Sequence, residues 1–166
     1  MFLVNYDCTF IDYPDPKFWA NIFYFSGCNH FCKSCQDQEL QKFGVGKEIT
    51  PDNLNTLIST LCKKNQTNKI VFSGGDPLFA NNIKDTKYFL HTYGYLYDIC
   101  IYTGFEIDYV KQNEITGFKF IKCGKYIESQ KRKSGNFEDR FILASPNQNF
   151  YDSNYRQISK EGILIY

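Results

Sequence analysis

Residues 19–35 read WANIFYFSGCNHFCKSC, and this stretch decides how the chain is read. The apolar, aromatic run from Trp19 to Phe25 stops at Ser26-Gly27, as a buried strand does at a turn. Cys28, Cys32 and Cys35 follow at once, in the spacing CxxxCxxC. Three thiolates on a short loop can each hold one iron of a four-iron cubane, leaving the fourth iron without a protein ligand. Such clusters normally take four cysteines. A missing ligand therefore marks an open position for substrate or cofactor, as at a catalytic zinc. Three other readings of the loop stand beside this one: a zinc site, a redox pair, and mere packing, against which three cysteines in a glycine-flanked loop argue. A zinc site would add His30 or Cys8, although structural zinc usually shows two CxxC-like pairs and the chain has no second pair. A redox pair at Cys32 and Cys35 would leave Cys28 unexplained. His30 reads as a loop histidine rather than a ligand.

The same grammar recurs downstream. Lys69 to Ser73 (KIVFS) stops at Gly74-Gly75, Asp98 to Tyr102 (DICIY) at Thr103-Gly104, and Phe118 to Cys123 (FKFIKC) at Gly124. Phe141 to Ala144 and Gly162 to Tyr166 are weaker strand candidates. Between the strands, Thr50 caps a helix with Pro51 at its first position. Leu54, Leu57, Ile58, Leu61 and Cys62 form its apolar stripe, which makes Cys62 a core residue. Ile83 to Tyr93 and Phe105 to Asn113 are the next helices. The alternation predicts an α/β fold with parallel strands and right-handed crossovers. In such sheets the strand C-termini share one edge, where ligands bind. SGCNHFC, SGGDP, YTG and KCG should therefore meet at one site.

Length and composition set the frame. With 166 residues, the chain suits one domain over 1–166 and falls short of the about 250 residues of a closed eightfold barrel. The expectation is thus a partial (incomplete) parallel α/β barrel of about five or six strands. A net charge of +1 gives no general pull toward nucleic acid or anionic lipid. No apolar run approaches the roughly 18 residues of a membrane span. The start, MFLVNYDCTFIDYPDP, lacks the basic and apolar regions of a signal peptide. Seven cysteines, an odd count without a secretion signal, argue against a disulfide framework. The expectation is a cytoplasmic protein, with no nucleic acid and no membrane among its partners. The basic run Lys131-Arg132-Lys133-Ser134-Gly135 reads as a solvated loop.

The CxxxCxxC loop after a first strand resembles the signature of the radical S-adenosylmethionine enzymes. Taken with FSGGDPL, YTGF, KCGKY and SPNQ, it is most similar to the branch that activates anaerobic ribonucleoside-triphosphate reductases. The likeness runs from Trp19 to about Tyr151. It implies a 4Fe-4S cluster on Cys28, Cys32 and Cys35, and S-adenosyl-L-methionine chelated to the open iron. An electron from the reduced cluster would then split the cofactor and give a deoxyadenosyl radical. The cofactor carries the hard chemistry and the protein aims it. The resemblance assigns Gly74, Gly75 and Asp76 to the methionine ammonium, through close backbone approach and negative charge. It gives Thr103 to the ribose or carboxylate and Lys122 to the carboxylate.

The implied partners are the glycyl radical subunit of the anaerobic reductase and a flavodoxin or ferredoxin-like electron donor. The chain departs from the family pattern at Ser34 and Gln36, which flank the third cysteine and are often aromatic there. Adenine stacking then falls to Phe31 or Phe43. KCG stands where relatives carry an aspartate-glycine pair, which leaves Cys123 either functional or simply buried. A radical enzyme acting on a small molecule, such as a deazapurine-forming synthase, is the alternative within the superfamily. A zinc-binding module is the alternative outside it.

Overall fold

Thr50 begins the first long helix as its sequence predicts: its Oγ1 accepts the Asn53 N–H at 3.3 Å, and α1 runs Pro51–Asn65. Gln66 ends it in the left-handed conformation, φ 53°. The computed structural model describes residues 1–15, 17, 19–137 and 140–165. Its strands are β1 (Phe2–Thr9), β2 (Ala20–Phe25), β3 (Lys47–Glu48), β4 (Lys69–Gly74), β5 (Asp98–Tyr102) and β6 (Phe120–Cys123). They continue with β7 (Gly135–Phe137), β8 (Arg140–Ile142), β9 (Asn149–Asp152), β10 (Ser159–Lys160) and β11 (Ile163–Leu164). The other helices are α2 (Ile83–Tyr93) and α3 (Ile107–Gln112). The end of the last expected strand, Tyr166, lies outside the described residues. No helix among those residues is long and apolar enough to cross a membrane.

Seven strands form the main sheet in the order β3-β1-β2-β4-β5-β6-β9. β2, β4, β5 and β6 run parallel, each beside the next. β1 and β9 flank them antiparallel, and β3 pairs antiparallel with β1. The result is a mixed α/β fold, and the expectation of five or six parallel strands is corrected to four. The sequence suggests neither β1 nor β9 as a flank. β1 alternates poorly, with Asn5, Tyr6 and Asp7 all exposed in mid-strand. β9 is only four residues long and carries Asn149 and Asp152 at its ends. The expected strand at 141–144 falls instead in a second, four-stranded antiparallel sheet, β10-β11-β8-β7.

Alternation along the parallel strands sends side chains to two different layers. Phe23, Phe25, Ile70, Phe72, Ile99, Ile101 and Ile121 face the helices, against Leu54, Ile58, Phe89 and Val110. Phe72 is the hub, edge-on to Phe25 at 5.3 Å and to Phe89 at 5.2 Å between ring centroids. Each such aromatic pair contributes about 0.5–1.5 kcal/mol beyond its buried area. Ala20, Ile22, Val71 and Cys100 face the other way and are covered by Tyr13, Phe141, Leu143, Phe150 and Leu164. With helices on one face and the small sheet on the other, the C-terminal ends of the parallel strands stay open for a site.

Candidate cluster and cofactor site

The loop after β2 is pinned at its stem. Gly27 N–H donates to the Leu40 carbonyl at 2.7 Å and Cys28 N–H to that of Gln41 at 2.9 Å. Asp76 N–H donates to the Gly27 carbonyl at 2.8 Å, which ties the stem to the turn after β4. Phe31 and Ser34 adopt left-handed conformations, φ 49° and 56°, so the chain coils back on itself between the cysteines. Cys28, Cys32 and Cys35 are free thiols, each half-buried.

Burial pushes the Cys28 thiol up to about 11; the His30 N–H opposes this, and the charges of Asp76, Cys32 and Cys35 add to it. The three sulfurs therefore feel one another. Loading with metal would have to displace a proton from Cys28, since the thiolate is the ligand. Among the described residues, no three His, Cys, Asp or Glu side chains converge on one point as a mononuclear ion needs.

Asp76 is fully buried. Its Oδ1 accepts the Leu78 N–H at 2.8 Å and its Oδ2 the Gly104 N–H at 2.9 Å, while the Thr103 hydroxyl lies 2.9 Å from both oxygens. His30 Nε2 lies 2.7 Å from Oδ2. The carboxylate that the sequence reading aims at a bound cation is thus turned inward onto the protein's own donors. Thr103 is likewise 1% exposed, with its hydroxyl on Asp76. Asn82, also buried, donates to the carbonyls of Ser26 at 2.9 Å and Asp76 at 3.0 Å. His30 and Asn82 are the residues that sequence reasoning missed. Nothing in the local sequence marks Asn82, and His30 stands out only once a buried acceptor is known to face it.

The two glycines of SGGDP meet a steric demand within the fold. Gly74 has φ +104°, and a Cβ there would lie 2.4 Å from the Phe25 backbone. A Cβ on Gly75 would lie 2.6 Å from the carbonyl oxygens of Gly27 and Leu40. Close approach is required at both, to the Phe25 backbone of β2 at Gly74 and to the stem of the cysteine loop at Gly75.

On the face opposite the helices, one register row lies along the open edge. Tyr24 pairs with Ser73, Tyr102 pairs with Lys122, and Ser73 lies one step beyond the β4–β5 ladder that brings it beside Tyr102. The row below it, Ile22, Val71, Cys100 and Phe120, is apolar. The Tyr102 hydroxyl donates to the Asp12 carbonyl at 2.7 Å. Lys122 Nζ sits 5.6 Å from the centre of the Tyr102 ring. Burial lowers the Lys122 ammonium from its ordinary value; Asp76, Cys123, Cys32 and Cys100 act against that. Lys122 Nζ donates to the Gly124 carbonyl at 3.4 Å, which keeps the ammonium at the end of β6.

Cys123 faces the helix-side core and is 2% exposed, with its thiol pushed up to about 12, foremost by burial. It packs rather than lining the site. Of the two stacking candidates, Phe43 is packed edge-on to Phe2 at 5.1 Å, while Phe31 is 73% exposed. The SPNQ turn is a buckle: Gln148 Nε2 donates to the Gly124 carbonyl at 3.2 Å and Asn147 Nδ2 to that of Lys125 at 2.8 Å. In the basic run, Lys131 and Lys133 are exposed, and Arg132 N–H donates to the Ala144 carbonyl at 2.9 Å.

A family model described as a 4Fe-4S single cluster domain matches residues 19–150. The chain is also similar to a protein of Haemophilus influenzae (strain ATCC 51907 / DSM 11121 / KW20 / Rd) named anaerobic ribonucleoside-triphosphate reductase-activating protein. The two are 28% identical over 115 residues, covering 63% of this chain and 72% of the relative.

Proposed function

The chain belongs to the 4Fe-4S single cluster domain family, and from that premise we propose that it is a radical S-adenosylmethionine activase with a partial-barrel fold. Its substrate is a backbone glycine of an anaerobic ribonucleoside-triphosphate reductase, on which it installs a glycyl radical. The observation that carries this reading is the placement of Cys28, Cys32 and Cys35 on one loop at the open edge of the parallel strands, beside Asp76 and Lys122. The name of the Haemophilus influenzae relative supports the choice of partner. When bound and reduced, a cluster with one open iron supplies the electron that cleaves S-adenosylmethionine.

The residues of this chain divide the remaining work. Cys28, Cys32 and Cys35 hold the iron. The segment 74–76 sets the height of the cysteine loop over the strand ends, through the Asp76 N–H bond to Gly27 and the close fit of Gly75. Thr103 fixes the Asp76 carboxylate, and Lys122 supplies positive charge for the cofactor's carboxylate. The row Tyr24, Ser73, Tyr102 and Lys122 forms the floor on which the reacting groups are held, and reaction needs them within about 3–3.5 Å. A flavodoxin or ferredoxin-like donor delivers the electron, in the cytoplasm.

Reduced enzyme, S-adenosylmethionine and the anaerobic reductase are mixed and followed by electron paramagnetic resonance. A doublet radical signal that disappears when the reductase glycine is replaced by alanine is the expected result. Cofactor cleavage without any signal on the reductase would overturn the activase reading in favour of a small-molecule substrate.

A further inference from the structure

We infer that His30 is a positioning residue: through the buried carboxylate of Asp76 it locks the cysteine loop to the turns after β4 and β5, without ligating iron. The inference rests on the proposed cluster at Cys28, Cys32 and Cys35. The His30 side chain is 7% exposed, although its neighbour Phe31 is 73% exposed on the same loop. Three contacts enclose the imidazole. Nε2 lies 2.7 Å from Asp76 Oδ2. Its Cδ2 edge fills the space above Gly104, where a Cβ would come within 2.4 Å. The Phe105 ring meets it edge-on at 4.4 Å between centroids.

The lock joins three segments far apart in sequence. His30 is 46 positions from Asp76, and Thr103 and Gly104, which share the same carboxylate, are 27 and 28 positions beyond it. Among the described residues, backbone bonds anchor the loop to other segments at its stem, at Gly27 and Cys28. Past that point, the Cys35 N–H to Cys32 carbonyl bond and the His30 N–H to Cys28 sulfur contact stay within the loop. Among the described residues, the His30 side chain is the hydrogen-bonding group between Asn29 and Cys35 that reaches another segment. The loop otherwise contains two left-handed residues and a largely exposed phenylalanine. An open iron meets a cofactor on the neighbouring turns only if that loop keeps its place. With Nε2 committed to Asp76, the ring is an outer support of the kind that holds ligands in orientation.

The test uses the full chain reconstituted anaerobically with iron and sulfide, as wild type, His30→Ala, His30→Gln, Asp76→Asn and the double variant His30→Ala/Asp76→Asn. His30→Ala should load the same iron as wild type yet release it to a ferrous chelator about 10-fold to 100-fold faster. Its reduced cluster should also lose the change in electron paramagnetic resonance that S-adenosylmethionine induces in the wild type. His30→Gln, whose side-chain amide can still donate to Asp76, should restore both, which general loosening of the fold would not do. Asp76→Asn should reproduce the loss, and the double variant should add little, because the two residues act through one bond. Wild-type release and spectra in His30→Ala would overturn the inference, and so would failure of that variant to load iron, which would make His30 a ligand. If wild type holds a cluster whose spectrum ignores S-adenosylmethionine, the proposed function fails, while the chelator comparison still decides the role of His30.

Discussion

The carbonyl oxygen of Gly27 occupies the space in which a side chain at Gly75 would stand, 2.6 Å from where its Cβ would be. The stem of the cysteine loop and the turn after β4 are therefore one packed unit. Gly75→Val should lower iron loading and thermal stability together, because forcing atoms into a filled site costs about 1–3 kcal/mol or more. Iron per chain and a melting curve on the same preparation check this. A variant with full iron and an unchanged melt would place Gly75 against a ligand instead.

The cysteines should separate cleanly by role. Alanine at Cys28, Cys32 or Cys35 should abolish the broad brown absorbance and the expected four irons of a cubane, counted by metal analysis of anaerobic protein. Alanine at Cys62, which packs on the helix-side core, should leave the iron and lower only the stability. Stoichiometric zinc in place of iron after anaerobic reconstitution would contradict the cluster.

His30 and Gly104 should show coupled stabilities. A Cβ at Gly104 would lie 2.4 Å from the imidazole, so Gly104→Ala should destabilise the chain by about 1–3 kcal/mol. In the His30→Ala background the clash is gone. There the same change should be neutral, or stabilising by about 0.4–1 kcal/mol through reduced freedom of the unfolded chain. Urea denaturation of the four proteins completes the cycle, and additive effects would mean the ring is not seated there.

Stability should fall as pH rises above about 9. Burial holds the Cys100 thiol well above its ordinary 9.0, with Lys122 opposing, and holds Cys123 up to about 12. The folded chain then keeps protons that the unfolded chain releases, so each thiol removes up to about 1.4 kcal/mol per pH unit in that range. Lys122 is shifted the other way and adds stability as pH rises, but it is one group against two thiols and the buried hydroxyl of Tyr102. Urea denaturation under reducing conditions from pH 8 upward reads the slope. Cys100→Ala should flatten it, and equal slopes would show that the thiol reaches water.

Much of this was legible in advance where one segment carries its own signal. Thr50-Pro51 marks a helix start by itself, and α2 lies at Ile83–Tyr93 as its sequence predicts. The four motifs meet at one edge because each directly follows a parallel strand. What stayed hidden depends on pairing. β1 has exposed residues in mid-strand and is a strand because β2 and β3 bond to it. Asp76 reads as a free charge until His30, Thr103 and Gly104 are seen around it. Gly74 and Gly75 carry a real demand for close approach, but sequence does not say what approaches.

The floor row of Tyr24, Ser73, Tyr102 and Lys122 draws one residue from each parallel strand, directly above a row that is wholly apolar. Because side chains alternate, a one-residue slip of any strand would exchange floor for helix-side core, so the buried rows hold the register that keeps the floor polar. Tyr24 and Tyr102 share in that hold, because both pack against the apolar cluster beneath them and the Tyr102 hydroxyl ties Asp12 to the sheet. The polarity of the strand ends is thus inherited from an apolar layer one residue deeper, so a core substitution that let one strand slip would change the chemistry of the site without touching a residue of it.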